Sequence, residues 1–459
     1  MRKPNRRDFL RNATAGGAGL VILSSSRSVW AYAANEKLNV AVIGAGGRGK
    51  WYVDQVSKLE NLVALCDVNE NRAQAAFKEH PGVPKFQDFR EMLDKMDRQI
   101  DAVTVATPDH THAQASVTAM RGGKHVLCEK GLTRTIHEAQ LMRKVAVEKS
   151  LATQMGNQGS SCNSARRGME VIQDGLIGDV KEVYSWSADE GPDYEERPKG
   201  EHPVPAYLNW DLWLGYAPYR PFNPNWLSWN AWREFGAGRI GMWSSHASFI
   251  AWNGLNMRSL WEAHPKEKVR IRVDAQVSRI NRLSYPKWAA VHYHVPARGN
   301  QPPCDWYWVG GLSAPGWRQK IEERLGRKLT WDGKNWQDHH HSLIVGTKGA
   351  VHALASNFSF AFLPADNFKG VDIAQPKRYP RIVGEYLGHE KDWFRACRDG
   401  RYTLSDFRNT GPYTEFLLLA NVATQIEGPI EYDPATGKIT NDENANALLT
   451  CERRKGWEL

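Results

Sequence analysis

The sequence predicts an α/β chain. A Rossmann dinucleotide-binding domain comes first, and a larger domain with mostly antiparallel strands follows. Three observations predict it. The apolar run Leu38–Ile43 breaks into glycines at 44, 46, 47 and 49 and then into a helical pattern. A second apolar run, Asn61–Cys66, follows one helix length later and ends on Asp67, 18 residues past Gly49. Beyond residue 158 the strand–helix alternation gives way to runs such as Val269–Ser278 and Ala289–Val295, whose period-2 patterning suits antiparallel, half-buried strands. The boundaries read as 34–157 for the first domain and 158–459 for the second, after a leader over 1–33.

The first element is a buried strand entering a tight turn and a helix N-terminus. Gly44, Gly46 and Gly49 satisfy G-x-G-x-x-G: the first permits the turn, the second lets backbone approach a pyrophosphate, and the third lets the helix pack on the strand. Gly47 and Arg48 complete the turn, whose free N–H groups face the anion. Asp67 is placed to accept from ribose hydroxyls and to repel a 2′-phosphate, and no basic residue follows in Val68-Asn69-Glu70. NAD rather than NADP is the expected cofactor.

Composition sets outer limits. A chain of 459 residues, 41% hydrophobic and 24% charged, suits two globular domains. The formal charge of +9 is concentrated at the start, where residues 1–33 hold six Lys/Arg and one Asp, so nothing argues for nucleic acid. Arg6-Arg7 followed by the short apolar stretch Ala13–Leu23 and the A-x-A site Ala31–Ala33 reads as a twin-arginine signal, too short to span a membrane in the mature chain. The export machinery is therefore an expected partner and the periplasm the expected location. Six scattered cysteines without C-x-x-C read as reduced and structural. The 19 tryptophans are the compositional oddity; flat rings with one donor suit sugar faces, and they suit cores equally well.

Further strands are expected at Ala102–Ala106 and His125–Cys128. The first exits into Thr107, Pro108 and His112, with a helix from about Thr111 to Gly122, and the second into Glu129-Lys130-Gly131. Thr135 with Glu138 reads as a capping box. In an open parallel sheet ligands lie beyond the carboxyl ends of strands, so Gly44–Gly49, Asp67, Thr107–His112 and Glu129-Lys130 should converge on one crevice.

The glycine turn, Cys66-Asp67-Val68, Thr107-Pro108 with His112, and Cys128-Glu129-Lys130 together resemble the Gfo/Idh/MocA family of nicotinamide-dependent sugar oxidoreductases. The segments Gln154–Gly159, Trp210–Gly215 and Arg453–Leu459 resemble its exported bacterial members. The resemblance implies a large open C-terminal sheet covering nicotinamide and substrate, and hydride transfer at a carbohydrate hydroxyl. It also implies a catalytic lysine, here Lys130, in a motif whose usual proline is Gly131. Beside a cationic nicotinamide such an ammonium would have a lowered pKa. The segment Gly238–His246 resembles a family helix carrying Asp and, one turn later, His. His246 remains, but the acid's position is Met242, so Lys130 and His246 suffice, or Asp189, Glu190 or Asp193 substitutes, or the chain is a sugar-binding relic that retains NAD.

A periplasm offers no free nicotinamide pool, so tightly held cofactor is expected, serving either coupled sugar oxidation and reduction or transient oxidation that cleaves a glycoside. The Trp- and Tyr-rich stretch 191–238, with Trp210, Trp213, Tyr219, Trp226, Trp229 and Trp232, reads as a sugar-facing wall or a subunit contact, and self-association is expected. Asn157, Trp210, Trp229 and Trp232 are the candidate substrate contacts. In Asp338-His339-His340-His341, adjacent histidines entering a strand should point to alternate faces, so packing or cleft lining is expected there and no metal site. Later helices are expected over Tyr386–Asp399 and Pro412–Gln425.

Overall fold

The computed structural model describes residues 37–264, 267–331, 338–371 and 378–459. The leader expected over 1–33 lies outside the described residues. Six parallel strands form the N-terminal sheet: β1 (Asn39–Ile43), β2 (Asn61–Cys66), β3 (Lys85–Phe86), β4 (Ala102–Val105), β5 (His125–Cys128) and β6 (Thr153–Met155). Their order is β3-β2-β1-β4-β5-β6, so the order reverses at β1 and opens a crevice between the ends of β1, β2 and β4. Val40–Ile43 are buried on both faces, which is why this strand reads as a continuous apolar run.

Helices α1 (Arg48–Leu59), α2 (Glu70–Glu79), α3 (Phe89–Lys95), α4 (Asp109–Arg121) and α5 (Ile136–Glu148) connect the strands. The side chains of Asn69 and Asp88 accept the N–H groups of Arg72 and Arg90, and Thr135 with Glu138 forms the expected capping box. Each such cap contributes about 1 kcal/mol. α4 starts at Asp109, two residues before the expected Thr111, because Pro108 ends the extended exit of β4 and frees Asp109 for the first helical position.

The second sheet has nine strands in the order β13-β12-β11-β7-β10-β9-β8-β14-β15. They are β7 (Val180–Ser187), β8 (Ile271–Val277), β9 (Ala289–Val295), β10 (Cys304–Gly310), β11 (Ser342–Gly346), β12 (Ala350–Leu354), β13 (Ser359–Leu363), β14 (Ile430–Asp433) and β15 (Lys438–Ile439). β7 and β10 pair in parallel and the other neighbours antiparallel, as expected of a mostly antiparallel sheet. β10 was not anticipated. Pro302-Pro303 before it and Gly310-Gly311 after it look like loop, while Trp306 and Trp308 alternate inward and are buried. The helix expected from Pro412 begins at Phe407, capped by Asp406, and that from Tyr386 begins at His389 after a 3-10 turn.

The domain boundary at 157 is less clean than expected. Helix His389–Asp399 places Trp393, Phe394 and Cys397 in one cluster with Val40, Val42 and Leu65, covering a face of the parallel sheet. The carboxylate of Asp406 accepts from Thr153 N–H at 3.2 Å and Thr153 Oγ1 at 2.8 Å. The sheet's own helices leave apolar surface, and distant chain buries it. The aromatic stretch is also packed on the first domain: Glu70 N–H donates to the Tyr207 carbonyl, and Asn209 N–H to that of Val68.

Candidate active site

The glycine turn is built to exclude side chains. A Cβ on Gly49 would lie 1.6 Å from the Gly44 carbonyl oxygen, and Gly44 itself has φ +83°. Only glycine lets α1 start this close to β1. At the end of β2, Asp67 Oδ2 accepts the N–H groups of Ala45 and Gly46 at 2.9 and 3.1 Å, and Oδ1 that of Asn69 at 2.9 Å. Burial raises the Asp67 carboxyl, against these donors and Arg72, which lower it. Arg72 lines the cavity beside Asp67; it lies past the Val68–Glu70 window in which the sequence offered no basic residue.

These groups border one cavity of about 500 Å³. Gly44, Gly46, Arg48, Asp67, Thr107, Pro108, Glu129, Lys130, Met242, His246 and Trp229 all line it, as the converging strand ends require. Gly47 and Gly49 form the turn behind the lining. His112 is also set back: fully buried, its Nδ1 meets the Gly131 carbonyl at 2.9 Å and its Nε2 the Thr107 carbonyl at 2.8 Å. It braces two lining loops instead of touching a ligand, a role that its spacing from Pro108 cannot reveal. Burial lowers its pKa, but Cys128, Asp109 and the Gly131 carbonyl outweigh burial and push it up to about 10.

Glu129 gathers the floor. Its Oε1 accepts from Arg48 Nε at 2.8 Å and Tyr52 Oη at 2.7 Å, and its Oε2 from Lys130 N–H at 3.0 Å. Burial would raise this carboxyl, but Arg48 and Lys130 outweigh it and hold it below the usual range. Arg48 Nη2 is buried without a partner, a donor free for a ligand. Across the cavity, Met242 and His246 sit on the π-helical segment Ile240–Ser244 and its α continuation, so the one-turn spacing does put both on the cleft side. Burial, with Lys130, His340 and Arg48 nearby, holds His246 well below the ordinary histidine value, and its ring is neutral. Its Nδ1 has no partner.

The substrate candidates divide. Trp229 lines the cavity together with Trp213 of the same aromatic stretch, joined by Leu212 and Leu227, which sequence reading did not assign there. Trp210 stacks behind on Trp213 at 4.9 Å and donates to the Arg220 carbonyl, and Trp232 donates to that of Asn225; both belong to a buried cluster with Trp226 and Phe235. Asn157 is buried behind the lining, with neither side-chain polar atom partnered. The substitute acids divide too. Asp193 pairs with Arg279 at 3.1 Å and Glu190 with Lys287 at 3.7 Å, away from the cavity. Asp189 instead holds His339 Nε2 at 2.9 Å and Trp243 Nε1 at 2.9 Å.

The histidine run departs from the alternating pattern expected of a strand. β11 begins only at Ser342, and Asp338 has φ +55°, so residues 338–341 form a turn in which His339 and His340 meet, Nδ1 to Nδ1, at 2.7 Å. His341 Nδ1 lies 3.1 Å from His352 Nε2 and 3.5 Å from Asp338, whose carboxylate is occupied by Arg327 at 2.7 Å through both oxygens. Gln158, Ser356, Phe358, Tyr386 and Asp109 also line the cavity. Nothing local in the sequence marks Ser356 or Tyr386; they arrive through the second sheet and the turn before helix His389–Asp399.

Comparison with known proteins agrees with this geometry. Residues 38–157 match the family model described as an oxidoreductase family with an NAD-binding Rossmann fold, Gfo/Idh/MocA. The chain is 27% identical over 169 residues to a levoglucosan dehydrogenase of Pseudarthrobacter phenanthrenivorans, covering 34% of this chain and 43% of that protein. It is 32% identical over 156 residues to a glycosyl hydrolase family 109 protein of Solibacter usitatus, covering 30% and 35%. The chain thus spans less than half the length of these curated relatives. The crystal structure of the WlbA dehydrogenase from Bordetella pertussis, in complex with NADH and UDP-GlcNAcA, superposes with TM-score 0.57 over 86% of this chain and 98% of that one at 15% identity, a likeness of fold. Glycine turn, Asp67 and the family match together identify residues 38–157 as an NAD-binding Rossmann fold, similar to that of the Gfo/Idh/MocA oxidoreductases.

Proposed function

We propose that the protein is an NAD-dependent oxidoreductase acting on a hydroxyl of a sugar or glycoside. The observation that carries this reading is that Lys130 and a neutral His246 face the same cavity as the nucleotide turn. The turn fits the cofactor: positions 44, 46 and 49 have no room for side chains, and Arg48 Nη2 is a buried donor without a partner. Bound NAD would accept a hydride from the carbon bearing the hydroxyl. The chain does the rest. The N–H groups of Gly47 and Arg48 at the start of α1 are the donors for pyrophosphate, Asp67, held on the N–H groups of Ala45 and Gly46, is the acceptor for ribose, and Lys130 is the cation that polarises the substrate oxygen. Neutral His246 can accept from the substrate and orient it. Trp213 and Trp229 supply apolar faces for a sugar ring.

The cofactor is held through turnover, and export is by the twin-arginine route in the folded state; Arg6-Arg7 ahead of a weak apolar stretch supports this. Arg6→Lys with Arg7→Lys should then strand loaded protein in the cytoplasm. The test of function is spectral: purified protein should release NAD or NADH on denaturation, and its bound nicotinamide should change redox state when sugars and glycosides are added. Loss of the spectral response across a broad panel would instead favour a sugar-binding protein that keeps NAD, a reading motivated by Met242. The relative named as a family 109 glycosyl hydrolase supports a second outcome, in which the same oxidation labilises a glycosidic bond. Product mass spectrometry separates the two.

A further inference from the structure

We propose that Ser356, His340, His339 and Asp189 form a proton path from the cavity to solvent, doing the work of the acid that Met242 does not supply. This rests on the oxidoreductase reading and deepens it. The path is continuous. His340 Nε2 lies 2.7 Å from Ser356 Oγ, His340 Nδ1 lies 2.7 Å from His339 Nδ1, and His339 Nε2 lies 2.9 Å from Asp189 Oδ1. One end, Ser356, lines the cavity with Lys130, Met242 and His246. At the other end the Asp189 side chain is 30% exposed, while His339 between them is 2% exposed.

The rings are held in register. Trp243 stacks on His340 at 4.5 Å, meets His339 edge-on at 4.9 Å, and donates its own N–H to Asp189 Oδ2. Trp243 follows Met242 directly, so the segment lacking an acid supplies the aromatic clamp that aligns its replacement. Ser356 has φ +54° and Asn357 φ +58°, left-handed positions that serine seldom takes and that aim Oγ at His340.

The proton count closes. As hydride leaves the substrate carbon for oxidised nicotinamide, the hydroxyl proton passes to Ser356 Oγ, whose own proton moves to His340 Nε2. The proton on His340 Nδ1 moves to His339 Nδ1, and the imidazolium formed there is stabilised by Asp189, which returns the Nε2 proton to water. Reduction of a ketone runs the same path inward. The groups facing it suit relay more than storage. Burial, with His339 and His341 beside it, pushes His340 down to about 3, and Asp189 faces His339, Arg239 and Trp243, which hold its carboxyl below the usual range against burial. Lys130 also faces His340 and opposes a lasting charge there.

The test uses the whole NAD-loaded protein and two readouts. In single-turnover reduction of bound NAD by an active sugar, His340→Gln and Ser356→Gly should each slow the step about 10²-fold with nucleotide content unchanged. Glycine relieves the left-handed strain, so a loss there is not misfolding. Added imidazole should rescue His340→Gly. Unchanged rates in these variants, with an active wild type, would overturn the path and leave the oxidoreductase reading standing. A wild type inactive on every sugar would sink that reading, and imidazole ¹⁵N spectra then judge the path alone. Asp189→Asn must perturb both His339 and His340; independent titration of the two rings would overturn it.

Discussion

The two walls of the cavity were specified in different ways. The nucleotide wall is local: Gly44 to Arg48, Asp67, Thr107-Pro108 and Glu129-Lys130 are four short motifs, each at the end of one parallel strand. The substrate wall is assembled from Trp213 and Trp229, Met242 and His246, Ser356 and Tyr386, residues from separate segments of the second half. The difference teaches where chemistry can drift. The strand-end wall tolerates little change, because backbone geometry sets it. On the proposed proton path, the assembled wall has Met242 on its helix and takes its proton acceptor from another loop, at Ser356.

Breaking the local wall should have the largest effect. Gly49→Val puts a side chain where even a Cβ lies 1.6 Å from the Gly44 carbonyl oxygen; the cost in stability should be about 3 kcal/mol or more, and the purified protein should carry no nucleotide by absorbance. Lys130→Ala sharpens the comparison, since it removes charge without touching the turn. Reduction of bound NAD should fall about 10²- to 10⁴-fold with cofactor occupancy intact. If occupancy falls instead, Lys130 belongs to the nucleotide wall.

The tryptophans separate packing from contact. Trp210→Ala should cost about 3–5 kcal/mol in denaturant unfolding, because the ring is buried against Trp213 and Phe222. Trp229→Ala should leave the melting curve near wild type and raise the sugar KM about tenfold, the scale of one ring contact. A reversed pattern would place the sugar on the other face of the cluster. The last effect is read against pH and concerns His112. Its folded pKa of about 10 lies above the ordinary histidine value, so its charged ring contributes stability that is complete below about pH 6.5 and is lost as pH rises through about 10. The melting temperature should fall across that window, and His112→Gln should flatten the fall.

Legibility followed the same division. The parallel sheet, the capping box at Thr135 and the convergence of strand ends were readable because each depends on residues within one turn or strand. β10 was hidden by flanking prolines and glycines, although its inward tryptophans alternate as a strand requires. Helix His389–Asp399 carried no sign that it would cover the first sheet, since burial against Val40 and Leu65 is a long-range fact. Trp210 and Trp232 were indistinguishable in sequence from Trp229, and His112 from a ligand contact, because which side of a wall a residue occupies is settled by packing.

The most direct test of the central claim follows the hydride itself. The NAD-loaded protein is mixed with an active sugar carrying deuterium on its ring carbons, and the released cofactor is weighed by mass spectrometry after one turnover. The account predicts NADH heavier by one deuterium at the nicotinamide ring. Cofactor released without label, while sugar is bound or consumed, would contradict it.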